Sequence, residues 1–128
     1  MGKITTEKEC RIAVCSSDGS LHGKVISMAK CTHFVIFKGS PADYEVVECK
    51  IEGPVNERGP DAARLATSLK VGTVITGSIG PKAFKILREA GIAVKAGCRG
   101  TVVEAIGECA AGLLKDCKGA TYAGMIDL

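Results

Sequence analysis

Tryptophan is absent from this chain, and aromatic residues make up only 4% of its 128 positions. With a formal net charge of just +3, neither the stacking platform nor the basic stripe of a nucleic-acid binder is present, and no nucleic-acid partner is expected. There are only two histidines, and the seven cysteines include no Cys-x-x-Cys pair. An odd count without that spacing fits neither a disulfide framework nor a zinc finger, so reduced and partly buried thiols are expected. No apolar run approaches the roughly 18 residues of a membrane span. Residues 1–10 are polar and charged, so neither a signal peptide nor membrane contact is expected, and the cytoplasm is the expected location. A Walker lysine pattern and a six-residue glycine fingerprint with a ribose-binding acid are both missing, which argues against an NTPase. Two-metal nuclease chemistry would need clustered carboxylates, and only Asp18 stands near a strand end.

What is present is a junction. Thr73-Val74-Ile75-Thr76-Gly77-Ser78-Ile79-Gly80-Pro81-Lys82-Ala83-Phe84 reads as a buried strand, a glycine loop and a helix start in succession. Val74 and Ile75 carry the β-branched signal, Gly77 and Gly80 permit a tight turn, and Pro81 suits a first helical position. The unpaired N–H groups at such a helix start favour an anion, although a lone Gly-x-x-Gly also fits a plain tight turn. The arrangement recurs about twenty residues later: Ile92-Ala93-Val94-Lys95-Ala96 is strand-like, Gly97-Cys98-Arg99-Gly100 is the loop, and Thr101-Val102-Val103-Glu104 opens a helix with capping-box spacing. Two successive β-loop-α units imply parallel strands with both loops at one sheet edge.

The 46% hydrophobic content suits one domain with one core. A flexible leader is expected at 1–10, a single α/β domain at 11–117 and a loose tail at 118–128. Arg11 to Cys15, His33 to Phe37 and Tyr44 to Cys49 read as three strands, the last an edge strand paired with the second as a hairpin. Helices are expected from Gly59-Pro60 to a stop at Gly72, from Pro81 to Gly91, and from Thr101 with a stripe of Val102, Ala105, Ile106, Cys109 and Leu113. The order is βββαβαβα, a mixed five-stranded sheet with helices on its faces, as in ribonuclease H-like folds.

The blocks Gly59-Pro60-Asp61-Ala62-Ala63, Val71 through Phe84, Ala90-Gly91-Ile92-Ala93-Val94 and Gly100-Thr101-Val102-Val103-Glu104-Ala105-Ile106 resemble the dinitrogenase iron-molybdenum cofactor biosynthesis family. The similarity runs from residue 11 to about 115, nearly the whole domain. It implies a ribonuclease H-like monomer or weak homodimer that binds, carries or stores an anionic metal–sulfur cluster without enzymatic turnover. Cluster donor or acceptor proteins are the implied partners. One block departs from the pattern: where relatives often carry a His-Phe-Gly-Arg-like segment, this chain has Ser27-Met28-Ala29-Lys30, which keeps only the basic residue.

A thiometallate or iron–sulfur-type cluster is a bulky anion that needs backbone N–H donors, a few cations and optionally a thiolate. The expected donors lie around Gly77, Ser78, Ile79, Gly80 and Lys82 and around Cys98, Gly100, Thr101 and Val102. The expected cations are Lys30, Arg58, Lys82 and Arg99. Cys98 beside a helix start would have a lowered pKa and suit a metal, or it is merely a small turn residue. Cys31 could face either the site or the core, and with Cys98 it is the candidate metal ligand that could replace the missing histidine. The competing reading is a regulatory module that binds a phosphate- or nucleotide-type anion at the same helix starts.

Overall fold

A computed structural model describes residues 11–38, 42–50, 55–98 and 100–112. The expected leader, the expected tail, Leu113 and Arg99 lie outside the described residues. Five strands form one mixed sheet: β1 (Arg11–Ser16), β2 (His33–Lys38), β3 (Tyr44–Glu48), β4 (Thr73–Ile75) and β5 (Ala93–Lys95). Three helices accompany them: α1 (Val55–Ser68), α2 (Pro81–Glu89) and α3 (Val102–Ala110). A single 3-10 turn, Met28–Lys30, precedes β2.

The strands lie in the order β3-β2-β1-β4-β5. β1 pairs antiparallel with β2, and β2 antiparallel with β3. β4 pairs parallel with β1, and β5 parallel with β4. The period-2 alternation of β1 divides two cores. Ala13 and Cys15 join Phe34, Ile36 and Val74 on the face covered by α1 and α2, where Ala62, Ala66, Ala83 and Leu87 are buried. Val14, Val35, Phe37 and Ile75 face the other way, against Val102, Ala105 and Ile106 of α3. β3 is the expected edge strand, with Tyr44, Val46 and Glu48 exposed.

Two helix boundaries differ from expectation. α1 starts at Val55, not at Gly59-Pro60, and Pro60 sits inside it. The proline ring forfeits one bond to a carbonyl four residues back, close to the end where several backbone groups lack intrahelical partners anyway. Both Gly59 and Pro60 are buried, and a Cβ on Gly59 would meet Ala29 Cα and the Cβ atoms of Ala29 and Ala83 at an ordinary contact distance of 3.8 Å. At the far end Gly72 is not the stop. Lys70 takes the left-handed conformation with φ 60°, and the Gly72 N–H donates to the Arg11 carbonyl at 2.9 Å. α2 behaves as expected, with Pro81 at its start and Gly91 at φ 78° after its end.

Candidate functional site

Because β1, β4 and β5 are parallel, both glycine loops emerge at one edge of the sheet. They touch: the Gly97 N–H donates to the Gly77 carbonyl at 2.9 Å and the Cys98 N–H to the Thr76 carbonyl at 3.4 Å. The long connection between β1 and β2 folds back over this edge. Ser16 bridges antiparallel to Val25, the Ile26 N–H donates to the Cys15 carbonyl at 3.1 Å, and the Ile26 carbonyl in turn accepts the Gly77 N–H at 3.1 Å. The connection fits so closely that a Cβ on Gly77 would stand 3.4 Å from the Ile26 carbonyl carbon and 3.5 Å from Ser27 N.

The second loop does not offer its helix start to a ligand. The Val102 N–H donates to the Gly23 carbonyl and the Val103 N–H to the Leu21 carbonyl, both at 2.9 Å. The Glu104 N–H donates to Thr101 Oγ1 at 3.3 Å, and the Thr101 N–H donates to Glu104 Oε1 at 2.9 Å, completing the expected capping box. The Gly100 carbonyl accepts from the Val25 N–H at 3.0 Å. Of the donors expected around Cys98 to Val102, the N–H groups of Cys98, Thr101 and Val102 are thus already paired within the chain, and the expectation that the Thr101 N–H cradles an anion is corrected. Nothing in their spacing revealed the carbonyls of Leu21 and Gly23, which come from eighty residues away.

The first loop is different. α2 has Gly80 as its N-cap, with no side-chain hydrogen bond to cap it. Its opening N–H groups at Lys82 and Ala83 belong to the turn that has no intrahelical partner. Three segments converge around that end. The 3-10 turn is joined to the loop by the Met28 N–H, which donates to the Ser78 carbonyl at 3.0 Å. Gly59 in the second turn of α1 packs between Ala29 and Ala83, and Lys82 Nζ pairs with Glu57 Oε2 at 3.4 Å. Lys30, Arg58 and Lys82 are all exposed here, whereas Ile79 is fully buried and roots the loop in the core. The chain positions of Lys30, Arg58, Ser78, Gly80 and Lys82 are thus brought to one corner, since Lys30 adjoins Ala29 and Arg58 adjoins Gly59, while Gly77 already gives its N–H to the Ile26 carbonyl. Glu57 was not foreseen: its carboxylate neutralises part of the Lys82 charge.

The family model described as dinitrogenase iron-molybdenum cofactor matches residues 8–112. The chain belongs to this family. Among solved structures it is similar to the apo form of the orange protein from Desulfovibrio gigas, at 27% identity and TM-score 0.79, covering 88% of this chain and 97% of that one. It is also similar to a candidate NifB protein from Thermotoga, of the DUF35 family, at 30% identity and TM-score 0.68, covering 84% and 92% respectively. A candidate dinitrogenase from Methanocaldococcus jannaschii shares the fold at 14% identity and TM-score 0.62, covering 85% and 95%. No curated protein matches the chain.

Within this dinitrogenase-cofactor family member the thiols sit deeper than expected. Cys98 is buried in the core on the α3 side, and burial, followed by Glu108 and Cys109, pushes its thiol up rather than down. A helix start whose donors are already spent supplies little field to a thiolate, and Cys98 is a packed thiol. Cys31 faces the opposite core with Cys49, not the corner. Its thiol donates to the His33 carbonyl at 3.2 Å. Hydrogen bonding with Cys15, together with burial, pushes its pKa up. Neither thiol points to Lys82 or Lys30 by any contact in the structure. His22 is exposed, and His33 Nδ1 lies 2.9 Å from Thr32 Oγ1. Among the described residues no group of three or more His, Cys, Asp or Glu is arranged to hold a metal, and no helix is long and apolar enough to cross a membrane.

Proposed function

We propose that the chain binds and carries an anionic metal–sulfur cluster of the iron–molybdenum cofactor type, or a precursor of it, as cargo and without catalysing its conversion. The observation that carries this reading is the N-terminus of α2, left without a side-chain cap, with the exposed Lys82 on it and the exposed Lys30 and Arg58 in the two segments packed against it. A large, weakly basic anion suits such a place: backbone N–H groups and the positive end of the helix attract it, and mobile lysines close over it without covalent ligation. Family membership supports the nature of the cargo, and a relative solved in an apo form supports the existence of a loaded state.

The partners in this reading are cytoplasmic proteins that deliver or receive the cluster, and the carrier works as a monomer or weak homodimer. Exchange requires weak, non-covalent retention, which helix-terminal donors and exposed cations provide and a cage of thiolates would not. The ribonuclease H-like label rests on the same footing, supported by the three-strand antiparallel start and the two parallel additions.

The test is anaerobic titration of the metal-free protein with tetrathiomolybdate, alone and with iron(II), followed by visible absorption and by the amide signals of Lys82 and Ala83. Stoichiometric uptake that shifts those amides and falls in Lys82→Ala and Lys30→Ala supports the cluster carrier. Shifts of the same amides by inorganic phosphate or a nucleotide, with thiomolybdate ignored, would transfer the site to the smaller anion.

A further inference from the structure

The sulfur atoms near the end of β1 fall in two close pairs. Cys31 Sγ lies 3.6 Å from Cys49 Sγ, Cys15 Sγ lies 3.8 Å from Met28 Sδ, and all four side chains are buried in the same core. Four segments supply them: Cys15 from the end of β1, Met28 from the 3-10 turn, Cys31 from the residue after that turn, and Cys49 from the residue after β3. Separations of 13 and 18 residues within the two pairs carry no motif. The backbone holds the pair in place, since the Cys31 N–H donates to the Met28 carbonyl at 3.3 Å and the Cys49 N–H to the Thr32 carbonyl at 2.8 Å. Cys15 and Met28 are sealed at 0% and 1% exposure, whereas Cys31 and Cys49 keep 8% and 9%. Entry from outside therefore meets Cys31 and Cys49 first.

We propose that Cys31 and Cys49 form a two-thiolate site for a soft monovalent cation of the copper(I) class, with Cys15 and Met28 behind them in the same core. Sulfur donors select copper(I), zinc or iron–sulfur centres. Zinc and iron–sulfur clusters require a fuller set of ligands, and the described residues present no such arrangement. A copper(I) ion is satisfied by two or three sulfurs and accepts a thioether among them. With metal–sulfur bonds of about 2.3 Å, two sulfurs on one ion stand about 4.0 Å apart in a trigonal arrangement and about 4.6 Å when linear. The observed 3.6 Å is shorter, so binding moves the two sulfurs apart by about 0.4 Å for a trigonal ion and about 1 Å for a linear one. Each bound ion displaces two thiol protons to solvent and leaves a bis-thiolate complex, so no electron is transferred and no oxidant is consumed. This site shares no residue with the anion corner. It lies on the other side of the 3-10 turn, and a bound ion would tie that turn to the end of β3.

The experiment is anaerobic titration of the reduced full chain with the acetonitrile complex of copper(I), without any thiometallate and against a copper(I) chelator such as bathocuproine disulfonate. One equivalent should bind with ultraviolet thiolate-to-copper absorption, and copper-edge X-ray absorption should show a first shell of two or three sulfurs. Cys31→Ser and Cys49→Ser should each weaken binding roughly 10- to 100-fold, while Cys109→Ser leaves it unchanged. Should either serine variant lose its circular dichroism signal, mass-mapped alkylation of the wild-type chain with and without copper locates the ion, with protection expected at Cys31 and Cys49. Complete transfer of copper to the chelator, a shell containing nitrogen or oxygen, or protection of other cysteines would overturn the proposal. Copper binding that persists in Lys82→Ala, whose thiomolybdate uptake is expected to fall, separates this site from the anion corner.

Discussion

The two βα junctions begin from nearly the same pattern, a short buried strand, a glycine loop and a helix start. At the first, α2 opens behind Gly80 with no capping side chain. At the second, α3 opens behind Thr101 with a complete capping box and two further carbonyls, from Leu21 and Gly23, on its first N–H groups. The connection between β1 and β2 makes the difference. It lays its 21–25 stretch across the second junction and its 26–28 stretch across the first, where it takes the Gly77 N–H and gives the Met28 N–H to Ser78 but leaves the start of α2 alone. One helix terminus is closed by side-chain and backbone partners, and the other carries no side-chain cap.

The largest way to break this contrast is to uproot the first junction. Ile79 is fully buried, so Ile79→Ala should cost about 2–5 kcal/mol in a urea unfolding series. A loss well below that range would mean that the loop is not anchored by its core residue.

Next in size is to make the first junction resemble the second. Gly80 lies in extended backbone with φ −87° and ψ 173°, which any residue tolerates, so Gly80→Asp should cap α2. Stability should stay level or rise by a few tenths of a kcal/mol, while thiomolybdate affinity falls roughly tenfold, about 1.4 kcal/mol. Unchanged affinity would remove the start of α2 from the site. The converse change is smaller: Thr101→Ala strips the cap from α3 and should cost about 1 kcal/mol of unfolding free energy without altering thiomolybdate uptake.

The smallest effect concerns the connection itself. The Ser20 backbone N–H and hydroxyl both donate to Asp18 Oδ1, at 2.9 and 3.0 Å, and these bonds hold the Asp18 carboxyl below its ordinary value of 3.8. A lowered folded pKa contributes stability that is complete above 3.8 and is lost as pH falls through the lower folded value. An NMR titration should show the Ser20 amide signal moving in that acidic window, with the Val103 amide following as the Leu21 carbonyl loosens. Movement of Ser20 only above pH 3.8 would contradict the assignment.

Much of the architecture was legible because it is local. The Thr101 to Glu104 capping spacing, Pro81 at a helix start, Gly91 at a helix end, and the burial of Ala83 and Leu87 on α2 and of Val102, Ala105 and Ile106 on α3 all follow from signals within a few residues, and each recurs in the structure. Reading failed where a neighbour outside the segment decides. Gly59-Pro60 carries a helix-start signal but is interior to α1, where it is buried against Ala29 and Ala83. Lys70 adopts a conformation that Gly72 seemed better suited to supply. Cys98 has the flanking residues of an activated thiol, yet the chain buries it against α3.

The residues alone therefore determined the family, the alternation of strands and helices, and the presence of two glycine junctions at a common edge, since periodicity, caps and turn residues act through the nearest few bonds. Only the tertiary structure decided that the second junction closes on itself, that Lys82 is shared with Glu57, and that Cys31 meets Cys49 instead of the anion corner. Those outcomes depend on which distant carbonyl, carboxylate or thiol is brought within hydrogen-bond reach, and sequence spacing carries no measure of that distance.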